Sequence, residues 1–344
     1  MRVLITGGAG FFGIHLTRAL LNKGYNIRVI DTEDLNEPEI DKKVEFIKVD
    51  VRNKHLIEGL IKDIDFVIHN AAVLPISRTK KKIFWEVNVQ GTRNVLEPSL
   101  KNKVKKFIFI SSSAPYGIPK ELPIREGTEF NPVCNYGRSK LEAERVCNEY
   151  RKKGLNIIIL RPRTILGEGR LGIFQILFNW IAEGKNIYII GRGDNLFQFL
   201  SERDLVSACI LSLERDCYNE DFNLGAENYS TLKEDLKDLI IYAKSNSKIV
   251  SIPPKTSKIL LRILDFLNLI PLTPWHYLTL DKPFYFDITK AKRILGWSPK
   301  DSNYKMLTRS YDWYLIHRKE IDRDFGTTHR KSLRQKILKL LSHF

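Results

Sequence analysis

Short apolar segments alternate with longer amphipathic segments along roughly the first 160 residues of the chain. The apolar segments, which include RVLIT, NIRVID, VEFIKVD, FVIHNAA, KFIFISSS and LNIIILRP, are nearly continuous runs of Val, Ile, Leu and Phe. The segments between them, among them residues 14–23, 87–100 and 136–152, repeat with the helical period. Apolar strands that alternate with helices are typical of a parallel sheet covered on both faces. The pattern predicts an α/β fold built on a doubly wound parallel sheet.

The alternation becomes less regular after Arg161, where IYIIGRG and FNLG are interspersed with helical patterns over 201–213 and 232–244. We interpret 1–165 as the sheet domain and 166–315 as a smaller substrate lobe, with some chain returning to the sheet domain. Such a lobe would lie across the carboxyl ends of the strands, where doubly wound sheets bind ligands.

The last segment, 316–344, is predicted to be a basic amphipathic tail. One helical face would carry its apolar side chains, namely Leu333, Ile337, Leu340, Leu341 and Phe344. Basic residues, namely Arg330, Lys331, Arg334 and Lys336, lie largely off this face. Two interpretations stay open: a helix packed on its own domain or on a second subunit, or peripheral contact with an anionic membrane.

Composition narrows the classes of protein that this chain can belong to. The 344 residues include only four cysteines, without a CxxC spacing, and no uninterrupted apolar run approaches the length of a membrane span, about 20 residues. We expect a cytoplasmic protein without a leader segment or a structural metal. The net charge of +16 suits nucleic acid, an anionic membrane or a phosphorylated substrate. Because the lysines are dispersed and no nucleic-acid module is present, we expect no nucleic-acid partner.

A glycine-rich loop joins the first predicted strand to the first helix. Gly7, Gly10 and Gly13 allow a tight turn, and they let the backbone and the helix N-terminus approach a pyrophosphate closely. Asp31 ends the second strand about 18 residues later, where it can accept hydrogen bonds from ribose hydroxyls and would repel a 2′-phosphate. The loop predicts a Rossmann fold that binds NAD rather than NADP, although Asp31 also suits a solvated turn.

Other strand ends reach the same edge of the predicted sheet. Asp50 and Val51 end the third strand, and Ala71 and Ala72 end the fourth. Small side chains at this edge would let a cofactor lie close to the backbone. His69, also at a strand end, is expected to be packed rather than catalytic.

Tyr136 and Lys140 lie four residues apart and therefore on one face of a predicted helix. A nearby ammonium favours the phenolate, which a tyrosine needs to act as a general base. The strand KFIFI delivers three serines, residues 111–113, to the same sheet edge. These groups can take the proton of a substrate alcohol while its carbon loses a hydride to a nicotinamide.

Several segments together resemble one known family. TGGAGFFG, IHNAA, VNVQGTRNVLE, ISSSAPYG, NYGRSKLEAE, ILRPRTILG and FDITKAKRILGWSPK are similar to the extended short-chain dehydrogenases, the family of NAD-dependent sugar epimerases and dehydratases. The resemblance extends from residue 1 to about residue 300. It implies that Tyr136 is the catalytic base and that Lys140 lowers the pKa of Tyr136 and holds the nicotinamide ribose. The polarising serine would be Ser112, four residues before Tyr116, with Ser113 as the alternative.

The resemblance also implies further contacts with the cofactor. These would be made by Phe11 and Phe12 beside the pyrophosphate, Asp50 and Val51 near the adenine, Asn88 supporting the site, and the backbone of Arg163 at the nicotinamide carboxamide. Relatives often pair through two long helices, so residues 87–100 and 136–152 are expected to form a homodimer interface.

The same resemblance narrows the reaction. Dehydratases and decarboxylases of the family carry a carboxylate just after the serine, whereas this chain has Ser113, Ala114 and Pro115. Epimerisation, ketoreduction and alcohol oxidation therefore remain. Relatives that bind UDP-sugars usually carry asparagine at the position of Thr164 and a diphosphate-binding arginine where FQFL supplies Gln198. Arg192 and Lys282 could supply the missing positive charge to the substrate.

Three functions follow as hypotheses. The first is an NAD-dependent nucleotide-sugar epimerase or ketoreductase. The second is a hydroxysteroid-dehydrogenase-like enzyme for a lipid-like alcohol, which LRPRTILG and the apolar stretch 259–270 would suit. The third, a non-catalytic NAD sensor, is disfavoured because Tyr136 and Lys140 are retained. Cys134 lies near Tyr136, where a few epimerases use a cysteine, but we expect an idle thiol.

Overall fold

The computed structural model describes residues 1–75, 79–267, 269–321 and 330. The strands are β1 (Arg2–Thr6), β2 (Asn26–Asp31), β3 (Glu45–Lys48), β4 (Phe66–His69), β5 (Lys106–Ile110), β6 (Ile157–Pro162), β7 (Thr164–Leu166), β8 (Ile187–Ile190), β9 (Phe199–Ser201), β10 (Asp221–Leu224) and β11 (Ile249–Ile252). Seven of them form one parallel sheet in the order β3-β2-β1-β4-β5-β6-β10. Two parallel pairs, β8 with β11 and β7 with β9, lie outside this sheet.

The α-helices are α1 (Phe11–Asn22), α2 (Pro38–Asp41), α3 (Lys54–Leu60), α4 (Lys81–Phe84), α5 (Thr92–Lys101), α6 (Asn135–Arg151), α7 (Ile173–Ala182), α8 (Glu202–Glu214), α9 (Leu232–Tyr242), α10 (Pro254–Phe266), α11 (Pro274–Thr279) and α12 (Asn303–Ile321). A π-helical segment, Trp85–Gly91, joins α4 to α5. Shorter helical turns occur at Ala114–Tyr116 and Ala291–Leu295.

Apolar side chains bury both faces of the large sheet. In β1, Val3 and Ile5 join the core cluster that contains α1 and α8, whereas Leu4 joins the cluster on the opposite face with α3, α5 and α6. Successive strand residues point to opposite faces, so a strand covered on both sides is apolar throughout. The strand order and the two helical layers confirm the predicted doubly wound sheet.

A separate core cluster lies in the C-terminal part of the chain, among α7, α9, α12, β8 and β9. Two elements of this part return to the large sheet: β10 pairs with β6, and α8 packs on α1. The predicted boundary between residues 315 and 316 falls inside α12, which continues to Ile321.

The apolar face predicted for the tail lies outside the described residues. Arg330 is described, and its guanidinium donates hydrogen bonds of 2.9 Å to the carbonyls of Ala9 and Leu35 and to the Glu37 carboxylate. This residue of the tail therefore contacts the glycine loop. Within the described residues, no helix combines the length and the apolar character that crossing a bilayer requires.

Candidate active site

The glycine loop needs its glycines because three backbone segments meet there. Gly7 has a φ of +69°, and a Cβ on it would lie 2.7 Å from backbone atoms of Ala71. A Cβ on Gly13 would lie 2.4 Å from the carbonyl oxygen of Gly7, so only glycine lets α1 pack this closely on the loop. No side chain caps the N-terminus of α1, which leaves backbone N–H groups to face the loop. This cradle fits a dinucleotide pyrophosphate.

Asp31 lies at the carboxyl end of β2, beside the glycine loop. Its carboxylate accepts hydrogen bonds from the backbone N–H groups of Ala9 at 2.9 Å and Thr32 at 2.7 Å. Burial raises the pKa of Asp31, and these hydrogen bonds oppose the rise. The carboxylate is thus held in place at the position where the sequence predicts a ribose contact.

A cleft of about 930 Å³ runs along the carboxyl edge of the large sheet and continues against the C-terminal lobe. Its lining includes most of the predicted site residues, namely Gly7, Gly10, Phe11, Phe12, Asp31, Asp50, Val51, Ala71, Ala72, Ser112, Ser113, Tyr136, Lys140, Arg163 and Thr164. Two predicted cofactor residues, Gly13 and Asn88, do not line it. The volume lies within the range of ligand pockets, about 300–1,000 Å³.

Asn88 supports the cleft from behind. Its side-chain oxygen accepts a hydrogen bond of 2.7 Å from the backbone N–H of Val73, and its amide donates to the Ser139 hydroxyl at 2.9 Å. Asn88 lies in the π-helical segment before α5, and Ser139 lies on α6. The side chain thus ties the loop after β4 to the helix that carries Tyr136.

Tyr136 meets Ser112 because α6 begins very close to the turn after β5. A Cβ on Gly137 would lie 2.6 Å from the Ala114 carbonyl oxygen, so a glycine after the tyrosine permits this approach. Burial raises the pKa of Tyr136 to about 12, although a hydrogen bond with Ser112 and the charge of Arg170 lower it.

The three predicted serines point to three different partners. Ser111 hydrogen-bonds to Glu144, and Ser113 accepts a hydrogen bond of 3.1 Å from the Arg163 guanidinium. Ser112 is the one that contacts the phenol of Tyr136. The arrangement favours Ser112 over Ser113 as the hydroxyl that works with the tyrosine.

Lys140 is buried on the cleft wall, beside the end of β5. Its ammonium donates a hydrogen bond of 2.6 Å to the Ile110 carbonyl and lies 4.2 Å from the centre of the Phe109 ring. Burial lowers the pKa of Lys140 to about 8. The groups that lower the pKa of Tyr136 in this structure are Ser112 and Arg170 rather than Lys140. The carbonyl at the end of β5 thus holds the ammonium in this structure, and the effect of Lys140 on the phenol stays a prediction.

A buried polar network under the site was missed by the sequence analysis. The Arg161 guanidinium donates to Glu144 at 2.8 Å, to Asp221 at 2.9 Å and to the Tyr116 hydroxyl at 3.1 Å. Burial by itself lowers the pKa of Arg161, but the charge of Glu144 and its other partners raise it overall. Because Glu144 also holds Ser111, the network joins β6, α6 and the serine turn. The arginine of the LRP segment was its only signal in the sequence.

Two other arginines on the cleft wall carry unpaired hydrogen-bond donors. Nη2 of Arg163 and both Nε and Nη1 of Arg170 are enclosed without a hydrogen-bond partner. Burial lowers the pKa of each guanidinium to about 9, so both remain cationic at neutral pH, and no carboxylate acts on either pKa. Aromatic rings lie near both guanidinium groups: Arg163 lies 4.0 Å from the centre of the Phe284 ring, and Arg170 lies 5.7 Å from the centre of the Phe11 ring. The sequence analysis did not identify Arg170.

The predicted substrate residues divide into two groups. Ser113 and Thr164 line the cleft, whereas Arg192, Gln198 and Lys282 do not. The Gln198 side chain is buried, where it donates to the Ala226 carbonyl and accepts from the Phe286 N–H. Arg192 is highly exposed and pairs with Asp194 at 2.7 Å. The positions of these three residues lend no support to a role in substrate binding.

The part of the cleft that faces the C-terminal lobe is largely apolar. Its lining there includes Phe174, Trp180, Ile189, Phe199, Leu236 and Leu261. The described residues contain no cluster of metal-ligating side chains. This part of the cleft can accommodate an apolar group, and the unpaired arginines lie beside it.

Three further side chains that the sequence analysis considered are held by contacts within the protein. Asp50 pairs with Arg52 at 2.7 Å; burial raises its pKa, but the hydrogen bonds from Arg52 outweigh this and lower it overall. Cys134 caps the start of α6, and burial raises the pKa of its thiol, so it is no activated acid or base. His69 is fully buried between Thr6 and Thr92, and burial lowers its pKa to about 3.

Comparisons with known proteins agree with this geometry. The model of the NAD dependent epimerase/dehydratase family matches residues 3–225. The chain is 38% identical over 342 residues to the uncharacterized protein y4nG of Sinorhizobium fredii, covering 99% of this chain and 85% of that protein. It is 30% identical over 348 residues to a UDP-glucose 4-epimerase of Lactobacillus helveticus, covering 93% of this chain and 98% of that protein.

A solved structure shows the same fold. The UDP-glucose 4-epimerase of Thermotoga maritima, solved with UDP-glucose, matches with a TM-score of 0.78 at 26% identity, covering 92% of this chain and 99% of that one. The predicted NAD cofactor is confirmed at the level of the family, which is NAD-dependent. The chain is therefore an enzyme of the extended short-chain dehydrogenase type and belongs to the NAD-dependent epimerase/dehydratase family.

Proposed function

We propose that this protein is a nucleotide-sugar epimerase in which Tyr136 exchanges a proton with the reacting hydroxyl of the sugar. The observation that carries the proposal is that Ser112 and Tyr136 line the same cleft as the glycine loop, with the Ser112 hydroxyl near enough to lower the pKa of the phenol. A hydroxyl donor and a proton-exchanging group held side by side suit the oxidation of an alcohol and the reduction of the resulting ketone.

NAD, when bound, would take hydride from the sugar carbon and return it to the opposite face. The glycine loop would hold its pyrophosphate, and Asp31 would hold the adenosine ribose. Ser112 would hydrogen-bond the reacting oxygen and orient it toward Tyr136. With a pKa of about 12 the phenol carries its proton at neutral pH, so that proton must first pass to solvent before Tyr136 can accept the proton of the sugar hydroxyl. Lys140, one helical turn away, would stabilise the phenolate if its ammonium left the Ile110 carbonyl.

An anionic substrate suits the unpaired arginines. A buried cation without an opposite charge costs several kcal/mol, so the unpaired donors, Nη2 of Arg163 and Nε and Nη1 of Arg170, favour a ligand that brings anionic oxygen acceptors. A diphosphate or a sugar carboxylate supplies them, and guanidinium groups bind both well. The turn after Ser112 contains no carboxylate, which favours epimerisation over dehydration or decarboxylation.

The activity can be tested on natively purified protein. We expect NAD to copurify, and we expect incubation with UDP-, GDP- or dTDP-sugars to yield an epimer by nuclear magnetic resonance without accumulation of NADH. Stoichiometric NADH formation would instead identify a dehydrogenase. Absence of turnover and of thermal stabilisation by every nucleotide sugar would contradict the proposal.

A second candidate function is favoured by the apolar lining of the lobe side of the cleft. Phe174, Trp180 and Leu236 would suit an oxidoreductase that acts on a lipid-like alcohol. Thermal-shift measurements that compare sterols with nucleotide sugars separate the candidates. Stabilisation by sterols alone, together with NADH formation, would replace the epimerase by this second function.

We also propose a homodimer that is formed through α5 and α6. The two helices pack side by side on one face of the large sheet, so each presents a long outer surface. Light scattering coupled to size-exclusion chromatography tests the proposal. A monomer at micromolar concentration would contradict it.

A further inference from the structure

Helix α10 packs on the protein with one face and exposes the other face to solvent. Its inner face packs on the C-terminal lobe through Leu261 and Leu264, and Ser257 is its only buried residue. The opposite face points to solvent although it is apolar. Large apolar side chains there are highly exposed: Ile259 by 62%, Leu260 by 55%, Ile263 by 50% and Phe266 by 79%. Soluble proteins rarely leave such a contiguous apolar surface uncovered, so this face indicates an interaction site.

The charges around this face are positive. Lys255 and Arg262 lie three to four residues from the apolar positions, on one flank of the helix, and both are exposed. The other cation, Lys258, is neutralised by Asp281 at 2.6 Å. The one acid of the helix, Asp265, accepts a hydrogen bond of 3.1 Å from the Tyr277 hydroxyl, which also interacts with Arg262, so the charges left on α10 are two cations and one carboxylate. An exposed apolar face with a cationic flank is typical of helices that lie in the interface of an anionic bilayer.

We propose that α10 docks on the surface of an anionic lipid bilayer. The side chains of Ile259, Ile263 and Phe266 would enter the boundary between headgroups and acyl chains, while Lys255 and Arg262 would contact anionic headgroups. The helix has 13 residues and lies along the surface rather than crossing it.

Charge complementarity favours lipid over the other two surfaces that could cover this face. A second copy of the chain would bring the same cations together. The chain's own segment 325–344 contains five Lys and Arg residues and no Asp or Glu, so it would add positive charge beside Lys255 and Arg262. An anionic lipid surface is the partner that covers the apolar side chains and balances the net positive charge of this face.

The docking face adjoins the cleft. Leu261, on the inner side of α10, lines the apolar part of the cleft, and Trp275 of α11 lines it as well. Docking would therefore place the lobe wall of the cleft next to the lipid surface. This inference stands independently of the epimerase proposal, because it concerns a face that does not contact the predicted catalytic residues.

Cosedimentation of the full chain with vesicles tests the proposal. We expect binding to vesicles of phosphatidylcholine mixed with phosphatidylglycerol to exceed binding to pure phosphatidylcholine at least about tenfold, and to fall with salt. The triple variant I259S/I263S/F266S should lose at least about tenfold in affinity for the mixed vesicles. The double variant K255A/R262A should lose about tenfold in affinity for the mixed vesicles, and its affinity for pure phosphatidylcholine vesicles should not change.

Matched controls remove equally exposed apolar side chains elsewhere. Ile241 on α9 is 73% exposed and Ile316 on α12 is 78% exposed, and I241S/I316S should bind vesicles like the parent. Circular dichroism and NAD binding should be unchanged in all variants, which separates lost docking from misfolding. Unchanged vesicle binding by I259S/I263S/F266S would overturn the proposal, as would absence of binding by the parent. Conversion of a dimer to a monomer by the triple variant, without a change in vesicle binding, would assign the face to a second copy.

Discussion

The two sides of the cleft are built on different principles. On the side of the large sheet, the charged groups are already satisfied by the protein: Asp31 by backbone N–H groups, Asp50 by Arg52, and Arg161 by Glu144 and Asp221. On the side that faces the lobe, the wall is apolar, and the two arginines nearest to it, Arg163 and Arg170, each keep at least one guanidinium donor without a hydrogen-bond partner.

The side of the large sheet has its polar groups paired before a ligand binds, whereas the side of the lobe has donors that a ligand could pair. The sheet side is shaped by close backbone approaches at Gly7, Gly13 and Gly137, so its geometry exists before anything binds. The lobe side keeps uncompensated positive charge, which a bound anion would neutralise. We therefore expect the sheet side to carry the chemistry that is common to the family and the lobe side to determine which substrate binds.

Removing the Tyr136 hydroxyl should have the largest effect on the sheet side. We expect Tyr136→Phe to lower kcat by about 10³-fold without changing NAD affinity, because proton transfer is lost while the fold is kept. The measurement is steady-state turnover of the accepted substrate combined with an NAD titration. Tyr150→Phe, at another buried tyrosine of α6, should keep full activity. Retained turnover in Tyr136→Phe would contradict the assigned role.

Two arginine substitutions test the comparison directly. Arg161→Met should destabilise the protein by about 3–5 kcal/mol in urea unfolding, because Glu144 is left buried without its partner. Arg170→Met should leave the free energy of unfolding equal or higher, because an unpaired charge is removed. The same variant should raise KM for an anionic substrate at least about tenfold. If Arg170→Met destabilises as strongly as Arg161→Met, the two sides of the cleft do not differ in the way we describe.

Substitutions in the turn that contains Ser112 and Ser113 should lower kcat less than the loss of the Tyr136 hydroxyl does. Ser112→Ala should lower kcat by about 10²-fold, since its hydroxyl contacts the Tyr136 phenol. Ser113→Ala should change kcat little, because that hydroxyl accepts a hydrogen bond from Arg163 instead. Steady-state kinetics of both variants measure the difference. The reverse ranking would assign the polarising role to Ser113.

The smallest effect concerns pH and a histidine of the lobe side. Burial lowers the pKa of His276 to about 4, whereas an unfolded histidine titrates near its ordinary value of 6.5. Between these values the unfolded state binds more protons, so His276 should make the free energy of unfolding fall as the pH falls from about 6.5 to 4, and it should contribute a slope of up to about 1.4 kcal/mol per pH unit. His276→Asn should reduce this slope in urea unfolding. His55→Asn, at an exposed position, should leave it unchanged, and an unaltered slope in His276→Asn would count against the cause assigned here.

Local patterns were sufficient for the fold and for the outline of the site. The alternation of apolar strands and amphipathic helices predicts the doubly wound sheet because each strand is buried on both faces over consecutive residues. The glycine loop and the spacing of Tyr136 and Lys140 are equally local, since a turn and one helical repeat determine them. The position of Asp31 at a strand end follows in the same way.

Contacts between distant residues decided the rest. Which of the three serines meets Tyr136 depends on partners 33 and 50 residues away, namely Glu144 for Ser111 and Arg163 for Ser113. The direction of the Lys140 ammonium depends on the end of β5, and the burial of Gln198 depends on the N–H of Phe286, 88 residues later. The sequence by itself determined the sheet, the glycine loop and the residue types of the site, because period, turn and spacing act within one element. Only the tertiary structure decided which donors are paired, because pairing depends on packing between elements that are far apart along the chain.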